Sequence, residues 1–305
     1  MKPELKERLH LGPLYALGAA LLFGASTPFA KLFLRESDSM MLAGLLYAGS
    51  GIGLTILWLF RFRESRASLR SLRRAEALPL VGSILFGGVI GPVLLMFGLR
   101  LINASTASLL LNLESAFTAL IACLVFQEPY GKRLVFGLIL ILLGGAILSG
   151  SDSSFSGAPL GMLAVAGAAL CWAIDNNFTK KVTSLEAGVF AGMKGLVAGA
   201  VNIFLATLLH QSFPAIKTGL AILMIGFAGY GISLVLFILS LRKLGAARTS
   251  AYFSTAPFMG GLLAILFLKE SFNRTLGIAG LFMAVGVYLH LTERRTPEKS
   301  GAVTA

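Results

Sequence analysis

Three ionisable residues, Glu114, Lys194 and Asp175, stand inside long apolar runs. A charge in such a run is costly in a bilayer and marks a functional candidate. At about 1.5 Å of rise per helical residue, Glu114 lies about 16 Å into its run, near a bilayer midplane. A carboxylate there can bind a substrate ammonium or carry a coupling proton. It can equally be a protonated structural acid bonded to a neighbouring helix. Lys194 can hold a substrate carboxylate, or pair permanently with Asp175. Asp175 sits in the polar stretch Trp172-Ala173-Ile174-Asp175-Asn176-Asn177, and a second such stretch is Gly24-Ala25-Ser26-Thr27-Pro28. Pro28 frees a backbone carbonyl and is expected to break its helix. Ser26 and Asn176 therefore join the candidates. Tyr47, Trp172, Tyr230 and Tyr252 also lie within apolar runs, where they can line a cavity or simply pack.

The elements that must carry these residues are membrane helices. Of the 305 residues, 56% are apolar and only 13% are charged, which excludes a soluble domain and a disordered chain alike. Mean hydropathy is +0.83. Ten runs approach the length of about 20 residues that a bilayer demands: 12–34, 39–60, 77–99, 103–126, 134–150, 158–178, 186–209, 215–240, 246–268 and 275–291. The first outlasts a signal-peptide core and reads as a retained helix. Cys123 and Cys171 fall inside apolar runs and the three histidines are scattered, so neither a disulfide scaffold nor a metal site is expected. No phosphate-binding loop follows any glycine cluster, and no cofactor is expected. The spans hold no nucleophile-and-base set, so the chain does not read as an enzyme.

Charge sets the expected topology. With a cytoplasmic N-terminus, 19 Lys/Arg fall in cytoplasmic segments, 6 outside, and Lys194 within a span. That is the positive-inside pattern for an even number of helices with both termini inside. It explains the net charge of +12 without nucleic acid. Lys31 and Lys180, near span ends, are expected to snorkel. Asn202 is expected to bond another helix. The clusters Gly82…Gly87-Gly88…Gly91 and Gly226…Gly229…Gly231 read as close-packing surfaces, in the monomer or in a homodimer.

The chain repeats itself. Shifting by 142 aligns 99–144 with 241–286 at 10 of 46 positions, including Leu99-Arg100 with Leu241-Arg242 and Glu128 with Glu270. A shift of 149 aligns Gly18-Ala19-Ala20-Leu21 with Gly167-Ala168-Ala169-Leu170, Ser26 with Asp175, and Phe29 and Lys31 with Phe178 and Lys180. Helices 1–5 thus recur as helices 6–10. Five is odd, so the second half enters the membrane from the opposite side, the plan of carriers that alternate access around a midplane site. The expected architecture is an all-α integral membrane protein of ten helices in two inverted five-helix repeats, 12–150 and 158–291, with a disordered cytoplasmic tail at 292–305.

Ten helices in two halves, with Gln127-Glu128 and Lys269-Glu270 after the fourth helix of each, resemble the EamA branch of the drug/metabolite transporter superfamily. The patterns Glu128…Gly137…Gly144-Gly145 and Glu270…Gly280…Gly286 are similar to that family's closing helix pair. The resemblance implies a secondary carrier in the bacterial inner membrane that exports small polar or zwitterionic metabolites such as amino acids, without ATP and with protons as a candidate coupling ion. A lipid or lipid-precursor flippase of the same fold is the alternative. The candidate substrate and coupling residues are Glu114, Lys194, Asp175, Ser26, Asn176, Trp172 and Tyr252.

Overall fold

A helix in lipid must keep every backbone amide bonded within the protein while turning apolar side chains outward. The computed structural model describes residues 3–59, 67–125, 131–149, 157–244, 249 and 252–292. Among them there is no strand. Gln127 and Glu128, the 293–305 part of the tail and Lys2, Arg61, Arg63, Arg66 and Arg248 of the charge count lie outside the described residues.

In chain order the main helices are α1 (Pro3–Phe33), α2 (Ser39–Leu59), α3 (Arg74–Leu101), α4 (Ala104–Val125) and α5 (Lys132–Ser149) in the first half. The second half has α6 (Ala158–Thr179), α7 (Ala187–Leu208), α8 (three consecutive pieces, Ile216–Gly226, Phe227–Ile232 and Ser233–Leu244), α9 (Ala256–Leu268) and α10 (Arg274–Leu291). Seven are long and apolar enough to cross a membrane: α1, α2, α3, α4, α6, α7 and α8. Leu124, Leu163 and Ile216 are among the large apolar side chains left exposed on the outer faces, as a lipid-facing surface requires.

Packing follows the repeat. α1 packs on α8 and α9, while α6 packs on α3 and α4. These relations exchange when the halves are exchanged. α2 lies against its own counterpart α7, and α5 against α10. The α2 seam needs glycine. A Cβ on Gly49 would stand 2.1 Å from the Leu223 carbonyl oxygen of α8, and one on Gly226 would stand 2.0 Å from that of Leu46. Both contacts are with backbone, so no side-chain rotation relieves them.

The helix irregularities are paired as well. α3 widens to a π-helix over Ser83–Ile90, and α8 does so over Phe227–Ile232. α4 breaks at Leu111 and Asn112, and the helical turn before α9 breaks at Ser254 and Thr255. The run 246–268, read from sequence as a single span, is therefore interrupted, and α9 itself has 13 residues. Pro257 in its first turn fits a helix start, where no amide partner is lost. The expected break at Pro28 does not occur. α1 runs through it unbroken. Its Gly24 carbonyl, four residues back and deprived of a donor by Pro28, lies against the backbone of α9, where a Cβ on Gly260 would stand 2.7 Å from it. Proline is tolerated in a membrane helix where a neighbouring helix covers the freed group.

One end of the bundle is tied shut. Both Glu270 carboxylate oxygens accept backbone amides at the start of α4, from Ala104 and Ser105, each at 2.8 Å. A carboxylate there satisfies two orphan donors and the positive end of the helix dipole. Lys31 donates to the carbonyls of Leu99 and Ile102. It caps the end of α3 rather than snorkelling. Every residue of Ala104–Leu110 is buried, so this segment forms a plug below the tie.

Gly49→Ala and Gly226→Ala should each destabilise the folded protein by about 1–3 kcal/mol, the usual range for overpacking. Gly261→Ala is the control, because its Cβ would meet nothing nearer than 3.7 Å. Thermal melts in detergent should show the first two lowered and the third unchanged or raised.

Candidate functional site

The α4 break, the break before α9 and the widened turn of α8 border two adjoining cavities. The first is lined by Glu114, Ser115 and Thr118 of α4, Asn176 of α6, Phe253 and Ser254, and Pro257 of α9. The second is lined by Tyr47, Trp172, Asp175, Lys194 and Tyr230. Phe23, Glu114, Phe237 and Phe253 line both, so Glu114 stands on the wall between them.

The α4 break puts Glu114 in this position. It ends one helical piece at Leu110 and starts the next at Leu113, with Glu114 in the new first turn. The freed backbone groups are met locally. Asn112 Nδ2 donates to the Leu109 carbonyl at 2.9 Å, and Ser115 Oγ to the Asn112 carbonyl at 2.8 Å. In the second half, Thr255 Oγ1 donates to the Tyr252 carbonyl at 2.7 Å. Glu114 accepts one side-chain hydrogen bond, from Asn176 Nδ2 at 2.7 Å. It forms no ion pair among the described residues.

Lys194 and Asp175 do pair. Their side chains are 7% and 10% exposed, and Lys194 Nζ bonds Asp175 Oδ2. Asp175 Oδ1 also accepts from Ser83 Oγ at 2.5 Å and from Thr179 Oγ1 at 3.0 Å. The ammonium and two hydroxyls therefore hold this carboxylate. The pair packs directly against Gly87: a Cβ there would stand 2.0 Å from Asp175 Oδ2 and 2.6 Å from Lys194 Nζ, so the pair would have to shift. The π-turn of α3 also turns the Gly87 carbonyl outward. It accepts from Tyr47 Oη at 2.5 Å and from Trp172 Nε1 at 2.9 Å. Asn202 donates to the next carbonyl, Gly88, at 3.1 Å, the helix-to-helix bond its sequence context suggested.

The cavity has an aromatic frame. Phe23 is its hub, with ring centroids 5.8 Å from Trp172, 5.9 Å from Tyr230 and 5.6 Å from Phe253. Tyr47 lies 5.1 Å from Tyr230, and Phe237 lies 4.8 Å from Phe253.

Of the seven candidate residues, five line these cavities: Glu114, Lys194, Asp175, Asn176 and Trp172. Ser26 lies outside both. It is buried and donates to the Phe23 carbonyl at 2.6 Å. It packs under Gly229, where a Cβ would stand 2.7 Å from Ser26 Cβ. That is the relation of Asp175 to Gly87 with the halves exchanged. Tyr252 also lies outside both cavities and is 36% exposed. Sequence reading missed Phe23, Phe237 and Phe253, since phenylalanine in an apolar run carries no signal. It also missed Ser83, the hydroxyl that completes the shell of Asp175.

Known proteins share this plan. The EamA-like transporter family describes the chain twice, over residues 10–150 and 159–292. The chain belongs to that family. An uncharacterized transporter of Methanothermobacter thermautotrophicus is 28% identical over 91% of this chain and 85% of its own. The uncharacterized transporter YvbV of Bacillus subtilis is 23% identical over 93% and 92%. The uncharacterized inner membrane transporter YedA of Escherichia coli is 22% identical over 91% of each. A solved crystal structure superposes with a TM-score of 0.69 at 20% identity, covering 95% of this chain and 99% of that one. The protein is thus a membrane-spanning member of a transporter family, and family and relatives alike point away from an enzyme.

The ion pair makes a sharp prediction for this EamA protein. Removing one partner of a buried pair costs about 3–5 kcal/mol, because the other charge is left uncompensated. Asp175→Asn should therefore sharply lower the thermal midpoint and folded yield. Asp175→Asn combined with Lys194→Met should recover much of the loss. A double variant no better than the single one would contradict the pairing.

Proposed function

We propose that this protein is a secondary carrier that moves small polar metabolites, zwitterionic amino acids included, out across the bacterial inner membrane. In this reading ten helices cross the bilayer as two inverted repeats, 12–150 and 158–291, with both termini in the cytoplasm. The halves rock about the Glu114 cavity, exposing it to one side and then the other. The observation that carries the reading is a set of paired irregularities: the α4 break, the break before α9 and the α8 π-turn line the cavities, and the matching α3 π-turn backs them by binding Tyr47 and Trp172 through Gly87. Interrupted helices at matching positions of two repeats are the usual frame of a carrier's substrate site. The bundle is closed at the Glu270 end, while Glu114, Asn176 and Phe253 are partly exposed. This asymmetry supports a state open toward the cytoplasm. Two carboxylates and one ammonium line the cavity. A lipid flippase would need a basic head-group pocket, so the carrier reading takes precedence.

Glu114 is the coupling and substrate-binding carboxylate in this proposal. The charged and titratable groups that share the cavity with it are Asp175, Lys194, Tyr47 and Tyr230. The first two are engaged with each other, and Tyr47 with the Gly87 carbonyl. Counterflow in proteoliposomes tests the carrier. Vesicles loaded with unlabelled amino acids and amines should take up the matching labelled tracer saturably. In Glu114→Gln, shown to be folded by gel filtration, tracer exchange should lose its dependence on pH. Absence of exchange with folded wild type across the whole panel would overturn the carrier reading. Unchanged pH dependence in the variant would remove the coupling role.

A further inference from the structure

The carrier reading leaves open which chemical feature of a substrate the cavity recognises. We infer, resting on that reading, that the Glu114 cavity selects a small organic cation: a primary amine or quaternary ammonium on an apolar body, with no carboxylate needed.

The charges come first. Among the residues lining the two cavities, the ionisable side chains of full charge are Glu114, Asp175 and Lys194. Lys194 is committed to Asp175, and the pair is buried under Gly87. Its ammonium is not free to receive a substrate carboxylate, the role its sequence position made open to it. Among the described residues Glu114 has a neutral donor, Asn176, and no ion-paired cation. An ionised carboxylate in such a place lacks a counter-charge. A proton or a bound cation supplies one, and an anion does not.

The walls say what kind of cation. Six rings, those of Phe23, Tyr47, Trp172, Tyr230, Phe237 and Phe253, line the second cavity around Glu114. A ring face attracts an organic cation through its quadrupole, most strongly where water is excluded. The same rings offer an inorganic cation almost nothing. Calcium or magnesium needs six or so oxygen ligands, and the walls around Glu114 are mostly ring and aliphatic carbon, with a few hydroxyls such as those of Ser50 and Ser233. A neutral molecule of the same shape would gain the apolar contacts but not the charge. An amino acid would gain the ammonium contacts and suffer for its carboxylate. The asymmetry of the repeat places the charge once. The residue matching Glu114 in the second half is Ala256, and the other lining carboxylate, Asp175, is paired with Lys194, so the unpaired negative charge stands on one wall and orients the ligand.

The test uses one apolar body with four head groups. Full-length protein in nanodiscs is equilibrated by dialysis with labelled phenethylamine at neutral pH. Unlabelled phenethylamine, phenethyltrimethylammonium, phenethyl alcohol and hydrocinnamate then compete, with empty nanodiscs as the partition control. Both cations should displace the label at concentrations at least about tenfold below the alcohol and the anion, as an added charge contact with ring faces implies. Glu114→Asp should keep that ranking, and Glu114→Gln should flatten it. Gel filtration and melting establish that both variants are folded. Three results would each overturn the inference: no saturable binding of phenethylamine, hydrocinnamate competing as well as the cations, or an unchanged ranking in Glu114→Gln. Counterflow separates this from the carrier reading. Exchange of zwitterions without cation preference leaves the carrier and removes the inference. Cation preference without exchange of any probe leaves the site and removes the carrier.

Discussion

Inside a bilayer no water is available to a backbone amide or carbonyl, so each must be bonded within the protein or open into a cavity the protein builds. This constraint organises the molecule. Among the described residues, the chain departs from regular α-helix at four places within its apolar runs, two in each half. At three of them backbone carbonyls accept from side chains nearby: Asn112, Ser115 and Thr255 at the breaks, Tyr47, Trp172 and Asn202 at the α3 π-turn. The two breaks and the α8 π-turn line the two adjoining cavities, and the α3 π-turn lies behind their walls. The glycines of the α2 seam belong to the same economy of space. They let three helices approach to backbone contact, so that the irregular segments are enclosed by protein and not by lipid.

The charges in this space differ in kind. Asp175 and Lys194 satisfy each other, with Ser83 and Thr179 completing the carboxylate's shell. Such a pair fixes α3, α6 and α7 in register. It gains little net stability relative to an apolar substitute, yet either partner alone would be costly. Glu114 is held by one amide. A carboxylate with so little local compensation is suited to change partners during a cycle. The same contrast of committed and free groups appears at the closed end, where Glu270 and Lys31 cap the facing ends of α4 and α3. Caps of this kind are strong enough to hold an end shut and, being few, can be released together.

Much of this was legible in the sequence. Apolar run length gave the membrane helices, and the shifts of 142 and 149 gave the repeat that the exchanged packing of α1 and α6 reproduces. Glu114, Lys194 and Asp175 were visible because charge is rare in such runs, and five of the seven candidate residues meet at the cavity. What was illegible has physical causes. A helix break in an apolar run is invisible when its residues, Leu111-Asn112 and Ser254-Thr255, are ordinary ones. Pro28 looked like a break and was not, because α9 covers the carbonyl it frees. The π-turns left only clusters of glycine, which also serve packing. Phe23, Phe237 and Phe253 could not be told from other apolar residues, since being a wall depends on what lies across the space. Tyr252 looked equivalent to Tyr230 by type, but its position before the second break leaves it outside the cavity.

The central claim is that one cavity, bounded by the paired breaks, faces each side of the membrane in turn. The most direct test is thiol accessibility at Ser115, on the cavity wall beside Glu114. With Cys123 and Cys171 replaced, Ser115→Cys is exposed to a membrane-impermeant thiol reagent in right-side-out and in inside-out vesicles. The account predicts labelling from both sides, slowed from both by a ligand of the cavity. Labelling from one side alone, with or without ligand, would contradict it.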